Sequence, residues 1–389
     1  MRAEDPIAGV GDRHGTAAGP PLHVVAHARS LDPLGGVEIC TLEDSRALSA
    51  RGHRVDLAFS EEGSLRPAYE SLGSELAGPY AFDFSPRHAV RDLAGFRRSA
   101  RWVRQQRPDV VWLNRAEHLV WAQVASRAAG APVVAHLHGP PVYRRMRVAG
   151  AGVAHFIAVS DFVRDSYIER GVAPERITRI HNAVDPRVYP AGGITEQDQA
   201  RRQLGLEPGV PVVLSYGQMT TSKGLLTLLA SWHEVLTAEP AAVLVLVDAS
   251  SGRPDAAVEA ELRRLPVSSY RRFPITDHVV PFLHASDVVA FPSWLPEAFG
   301  RVVLEGLSTG RPVVASDVGA VGELLTGPMA HLLVPPRDAE ALAATLVSTL
   351  GWRARDPDLQ DRCVRWVAER FPAEAHVDAL EGVLQQYRR

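Results

Sequence analysis

The sequence predicts an α/β protein: two doubly wound parallel-sheet domains facing across a cleft, with a C-terminal helix crossing back from the second domain to the first. Three observations predict it. Short runs of consecutive apolar residues alternate with amphipathic stretches along most of the chain, the rhythm of strand and helix in such folds. A polar interruption over residues 185–209, carrying Pro186, Pro190, Gly192 and Gly193, divides that rhythm into two similar halves. The 389 residues, 46% of them hydrophobic, suffice for a full core in each half.

The elements follow in chain order. Residues 1–20 are rich in Gly, Pro, Ala and charge and carry no apolar stretch, so they read as a disordered tail and not as a signal peptide. Strands are expected at 22–27, 54–59, 110–113, 133–137 and 156–159, then at 212–216, 243–247, 288–291 and 312–315. Each run is apolar on consecutive residues, as parallel strands covered by helices on both faces require. Residues 37–50 and 225–236 read as amphipathic helices, and 185–209 as the linker. A helical segment, 359–387, is interrupted near Phe371–Pro372. The expected division is a tail at 1–20, an N-terminal domain at 21–185, a C-terminal domain at 186–358, and helices at 359–389 packing back on the N-terminal domain. Ligands of such folds bind at the carboxyl ends of the strands, so the cleft is the expected site.

Composition excludes several functions. A net charge of −3 gives no reason to expect nucleic-acid binding. No window approaches the ~18–20 apolar residues that would span a membrane. Two distant cysteines, Cys40 and Cys363, provide neither a disulfide framework nor a zinc site, and a reducing cytoplasm is the expected compartment. One count is unusual. Of the 42 basic residues, Lys223 is the lone lysine and the rest are arginine. Either codon bias left it by chance, or it stands where a compact ammonium does something a guanidinium cannot.

Four constellations carry chemistry. In AFPSWLPEAFGRVVLEGLSTG, a strand ends at Phe291, a loop delivers Glu297, and Phe299–Gly300 opens a helix carrying Glu305. The N–H groups of Phe299, Gly300 and Arg301 are those a helix start leaves unpaired, which suits an anion. Carboxylates repel phosphate but accept hydrogen bonds from sugar hydroxyls, so a sugar nucleotide satisfies both features; carboxylates that merely complement the helix dipole are the plain alternative. In SYGQMTTSKGLL, Lys223 precedes a helix start, placed to neutralise a phosphate. In LGGVE, Gly35–Gly36 opens a helix and allows close backbone approach, although the spacing is not GxGxxG. In VVAHLHGPP, His136 and His138 end a strand on the same side. His138 is placed to hydrogen-bond a sugar hydroxyl or a leaving group, and His136 reads as a satisfied structural histidine.

In this order, these motifs resemble the retaining glycosyltransferases of the GT-B fold, family 4 type (group 1). The resemblance spans residues 22–387 and includes Gly35, Gly36 and Glu38, Gly52–His53, HLHG, Asn182, Val184 and Asp185, the SKG loop, and two Glu with seven residues between them. It implies two Rossmann-like domains, the first binding the acceptor and the second the nucleotide-diphosphate sugar, with a UDP-sugar as the expected donor. Glu297 would contact the donor sugar and Glu305 the ribose hydroxyls. Lys223 would bind the diphosphate, with amides of Gly35, Gly36, Phe299 and Gly300 adding to that grip, and His138 would lie near the departing phosphate. Where the family has Arg after the strand-ending Gly, this chain has Gln218, and Arg301 is the expected substitute cation. Ala183 stands where the family often has Gly.

The implied reaction is glycosyl transfer with retention to a hydroxyl of a small polar acceptor, as in natural-product biosynthesis (an aminocyclitol antibiotic, for example). No metal and no cofactor beyond the co-substrate are expected. The alternatives are a peripheral-membrane transferase acting on a lipid-linked or envelope acceptor, motivated by the Arg-rich amphipathic stretch 91–107, and a sugar-nucleotide epimerase or hydrolase. Residues 143–147 (YRRMR) are expected to line the acceptor pocket.

Overall fold

The computed structural model describes residues 19–249, 255–276 and 278–389. Nearly all of the expected tail therefore lies outside the described residues. The first sheet has seven parallel strands: β1 His23–Ser30, β2 Arg54–Glu61, β3 Leu76–Ala77, β4 Val110–Leu113, β5 Val133–Leu137, β6 His155–Ala158 and β7 Ile177–Arg179, in the spatial order 3-2-1-4-5-6-7. The second has six: β8 Val212–Gly217, β9 Val243–Asp248, β10 Tyr270–Pro274, β11 Val288–Phe291, β12 Val313–Ser316 and β13 Leu333–Val334, in the order 10-9-8-11-12-13. The central strands β4, β5, β11 and β12 are buried along their whole length, which is why their sequences are continuously apolar.

Four strands were not among those expected: β3, β7, β10 and β13. All four are sheet edges. β10 reads YRRFP with both arginines exposed, a pattern no buried strand would carry.

The stretch 185–209 is not a linker throughout. Ile194–Gln203 forms a helix, and Arg201 reaches Asp287 at 2.8 Å while buried against the second domain. The C-terminal segment also departs from expectation, because only its second half returns to the first domain. The Leu359–Arg370 helix packs on the Arg301–Ser308 helix of the second domain, and Trp366 donates its indole N–H to the Leu324 carbonyl at 2.8 Å. After Phe371–Pro372 the Ala373–Gln386 helix crosses over. Its Leu380 and Leu384 are fully buried among Leu22, Val24 and Val55, and Arg51 pairs with Glu381 and Glu374. Each buried leucine contributes about 1.5–3 kcal/mol, so the crossing helix is an integral wall of the first domain.

No helix among the described residues is long and apolar enough to cross a membrane. Cys40 and Cys363 are both buried and unbridged.

Candidate active site

In each sheet the strand order reverses next to the first strand of its domain, at β1/β4 and at β8/β11. Segments following the carboxyl ends of β1, β8 and β11 converge there on a cavity of about 360 Å³ between the domains. Its wall brings together Gly35, Gly36, His138, Lys223, Glu297, Phe299, Gly300, Arg301 and Glu305. Gln218 is exposed and lines an adjoining lobe of about 290 Å³, which shares Gly35, Gly36, Tyr216 and Lys223.

Lys223 and Glu297 form an ion pair, Nζ to Oε1 at 2.8 Å, and the Ser293 hydroxyl donates to the same oxygen at 2.6 Å. Backbone contact fixes the two loops against each other. Gly224 has φ +72°, and a Cβ on it would lie 1.6 Å from the Pro292 carbonyl oxygen. The Trp294 amide donates to the Ser222 carbonyl at 3.0 Å, and its indole N–H donates to the Thr227 hydroxyl at 2.6 Å. From the other side, Gly319 pairs with Glu297 in a parallel bridge, and Ala320 donates its N–H to the Glu297 carbonyl at 2.9 Å. The first domain reaches this loop too, with the Ser160 hydroxyl donating to the Ala298 carbonyl at 2.6 Å. Glu323 of the second domain accepts the amides of Asp161 and Phe162, at 2.9 and 2.7 Å, capping a first-domain helix.

Glu305 is engaged at both oxygens. Tyr216 donates its hydroxyl to Oε2 at 2.6 Å, and Arg301 donates Nε–H to Oε1 at 3.1 Å. Arg301, the substitute cation expected for the diphosphate, lines the cavity but is already paired within the protein. Its guanidinium is buried and spans the domains, reaching Glu43 at 2.7 and 3.1 Å and the Ala183 carbonyl at 3.4 Å. Two carboxylates already balance that charge. Burial pushes the Glu43 carboxyl up, and Arg301 opposes the shift. Ala183 keeps an ordinary negative φ; among the described non-glycine residues only Arg107 and Arg337 have φ above zero.

His138 lines the cavity, and its enclosed Nε2 has no hydrogen-bond partner within the protein. Burial, then the charges of Arg115, His376 and Arg301, lower its pKa to about 3. A neutral imidazole therefore faces the cleft. His136 lies beside it, ring centroids 4.2 Å apart and tilted by 43°, and is not a satisfied structural histidine: neither of its nitrogens has a hydrogen-bond partner within the protein, and Asp44 Oδ2 stands 4.0 Å from Nδ1. Burial likewise holds it well below the usual imidazole range. The thiol of Cys40, also on the cavity wall, is pushed up to about 12 by burial and so stays protonated.

The helices at Gly36–Ala50 and Arg301–Ser308 both begin without a side-chain cap, at Gly35 and Gly300, leaving their first N–H groups for a ligand. The YRRMR segment is not on the cavity wall. Tyr143 donates its hydroxyl to the Glu117 carbonyl at 2.9 Å, and Arg144, Arg145 and Arg147 are exposed. Sequence reasoning missed Tyr216, Ser293 and Gly319. Tyr216 carried a signal, a tyrosine at the end of an apolar strand next to Gly217. Gly319 carried none, since its partner lies in another element.

Comparison with known proteins agrees with this arrangement. Residues 34–188 match Glycosyltransferase Family 4, and residues 210–351 match Glycosyl transferases group 1. The chain is 32% identical over 228 residues to D-inositol 3-phosphate glycosyltransferase of Rhodococcus erythropolis, covering 56% of this chain and 50% of that protein. It is 29% identical over 252 residues to alpha-maltose-1-phosphate synthase of Mycolicibacterium smegmatis, covering 60% and 62%. The chain thus spans about half the length of the curated relatives it matches. Among solved structures, Anabaena Alr3699/HepE in complex with UDP-glucose has a TM-score of 0.80 at 21% identity, covering 94% of this chain and 100% of that one. Sucrose-phosphate synthase from Thermosynechococcus elongatus has a TM-score of 0.74 at 20% identity, covering 94% and 98%. With both domains matched and the two-sheet architecture shared, this chain belongs to the family 4, group 1 glycosyltransferases of the GT-B fold.

Proposed function

We propose that the chain transfers a glycosyl group from a nucleoside-diphosphate sugar, expected to be a UDP-sugar, to a hydroxyl of a small polar acceptor, with retention at the anomeric carbon. The observation that carries this reading is the Lys223–Glu297 pair at 2.8 Å on the wall of the interdomain cavity. A cation for a diphosphate and a carboxylate for sugar hydroxyls stand side by side there, with the unpartnered Nε2 of His138 on the same wall. The incoming diphosphate takes Lys223 from Glu297 and adds the free amides at Gly36 and Arg301. The bond from the anomeric carbon to the phosphate oxygen then breaks, and the phosphate keeps the electron pair. The acceptor oxygen attacks from the same face and its proton passes to the departing phosphate. The protein positions both reactants and stabilises the leaving charge. Lys223 and the helix starts supply the positive potential, and we propose no metal.

The names of similar proteins support donor and acceptor class. One solved neighbour is a complex with UDP-glucose, and several relatives act on a phosphorylated inositol. A natural-product core or another sugar fits the same acceptor class.

The test is thermal-shift screening of nucleoside diphosphates and their sugars, followed by a transfer assay with candidate acceptors. A preferred nucleotide raises the unfolding temperature, and NMR of the product shows whether the anomeric configuration is retained. Glu297→Gln should lower turnover ~100-fold or more. Free sugar or an isomerised nucleotide formed without acceptor would instead establish a hydrolase or epimerase. One observation favours a membrane-surface acceptor as second reading. The Ala89–Gln106 helix exposes Arg91, Arg97, Arg98, Arg101 and Arg104 together with Val90 and Leu93. Co-sedimentation with anionic vesicles, absent with neutral ones, would support it.

A further inference from the structure

We infer that Tyr216 sets donor selectivity, fixing Glu305 so that the carboxylate is matched to a ribose diol and penalises a deoxyribose. The inference rests on reading the cleft as a nucleotide-sugar site.

Tyr216 is the penultimate residue of β8, which pairs with β11 at the reversal of strand order. The helix carrying Glu305 follows β11, so the phenol faces that carboxylate. Its hydroxyl donates to Oε2 at 2.6 Å, while Arg301 Nε donates to Oε1 at 3.1 Å. Neither donor is free to drift. Burial, then the Glu305 charge, raises the Tyr216 phenol well above its ordinary value, so it keeps its proton. Arg301 is held in turn by Glu43, at 2.7 and 3.1 Å.

A carboxylate accepts about four hydrogen bonds. With Tyr216 and Arg301 taking one on each oxygen, roughly two directions remain for a ligand in the cavity that Glu305 lines. Two acceptor directions on one immobile carboxylate match the two hydroxyls of a ribose. A 2′-deoxyribose supplies one O–H fewer and leaves a mostly buried carboxylate lone pair unsatisfied. Glu305 cannot swing to recover a partner without breaking its bond to Tyr216 or Arg301. With Tyr216→Phe the Oε2 side is released, the carboxylate can turn, and the distinction between the two sugars weakens.

The experiment is calorimetric titration of the full chain and its Tyr216→Phe variant with UDP, GDP and ADP, each beside its 2′-deoxy analogue. The wild type is expected to bind the ribo form of its preferred diphosphate roughly 10- to 100-fold more tightly than the deoxy form. Tyr216→Phe is expected to bring that ratio down about tenfold. Phenylalanine preserves the ring, so a purely structural role would weaken both forms equally and leave the ratio unchanged, which would overturn the inference. A wild type binding both forms equally would overturn it without recourse to the variant. A wild type binding none of the diphosphates would refute the donor-site reading itself.

Discussion

At the scale of residues, the lone lysine acquires a physical role. Lys223 was odd by composition, and the fold puts its ammonium 2.8 Å from Glu297 in the cleft. Gln218 supplies no charge, and Arg301, the other cation on that wall, is bound to Glu43 and Glu305. On the proposed reading, Lys223 would therefore carry more of the diphosphate than a lysine with an arginine neighbour. A guanidinium in its place is planar and longer, and it would pair with Glu297 more rigidly. Lys223→Arg should weaken nucleoside-diphosphate binding by about tenfold, roughly one lost charge-assisted hydrogen bond, as read by titration calorimetry. Unchanged affinity would return the residue to codon bias.

At the scale of elements, the loops that carry charge are held by backbone contacts between distant segments. Gly319 is the clearest case. Its φ is +58°, and a Cβ there would lie 2.3 Å from the Glu297 carbonyl oxygen. Gly319→Ala should cost about 1–3 kcal/mol of stability and displace Glu297, lowering kcat more than nucleotide affinity. A variant with wild-type kcat would show that the Glu297 loop tolerates displacement. The central strands were legible because burial on both faces imposes continuous apolarity. β3, β7, β10 and β13 were not, because an edge strand has a neighbour on one side only and takes its place from that neighbour. The Ile194–Gln203 helix was hidden for a related reason. It is polar over most of its surface, and its fixed position comes from Arg201 and Gln197 bonding to the 286–287 turn.

At the scale of the whole molecule, buried histidines make stability depend on pH. Burial holds His136 and His138 neutral, His138 down to about 3. In the unfolded chain each protonates near pH 6.5. Between those values the unfolded state binds more protons, so stability is lost as pH falls below about 6.5. His376 works in the opposite sense. Against the opposing effect of burial, the Asp44 charge and hydrogen bond raise it, so its contribution is present in acid and lost as pH rises through its folded value. Asp56 and Glu323 side with the first pair. Against the opposing effect of burial, hydrogen bonds hold their carboxyls low, and that stabilisation disappears in acid. The unfolding temperature should therefore drop by several degrees from pH 7 to pH 5. A flat or rising profile over that range, measured by calorimetry, would contradict this balance.

The sequence by itself determined the two-domain α/β architecture, its central strands, and the identity of the charged residues at the cleft, because each is written in local patterns of apolarity, glycine and charge. It also determined where the C-terminal helix breaks. Only the tertiary structure decided how each of those charges is paired and exposed. Arg301 and Lys223 look equivalent as letters near helix starts, yet one is enclosed between two carboxylates from different domains and the other keeps a half-exposed ammonium on the cavity wall. The partner of a charge is set by elements far apart in the chain, here the Glu43 helix and the Glu305 helix, and no local pattern encodes it. For the same reason Tyr216 and Gly319, unremarked in the linear chain, turn out to hold the two carboxylates in place.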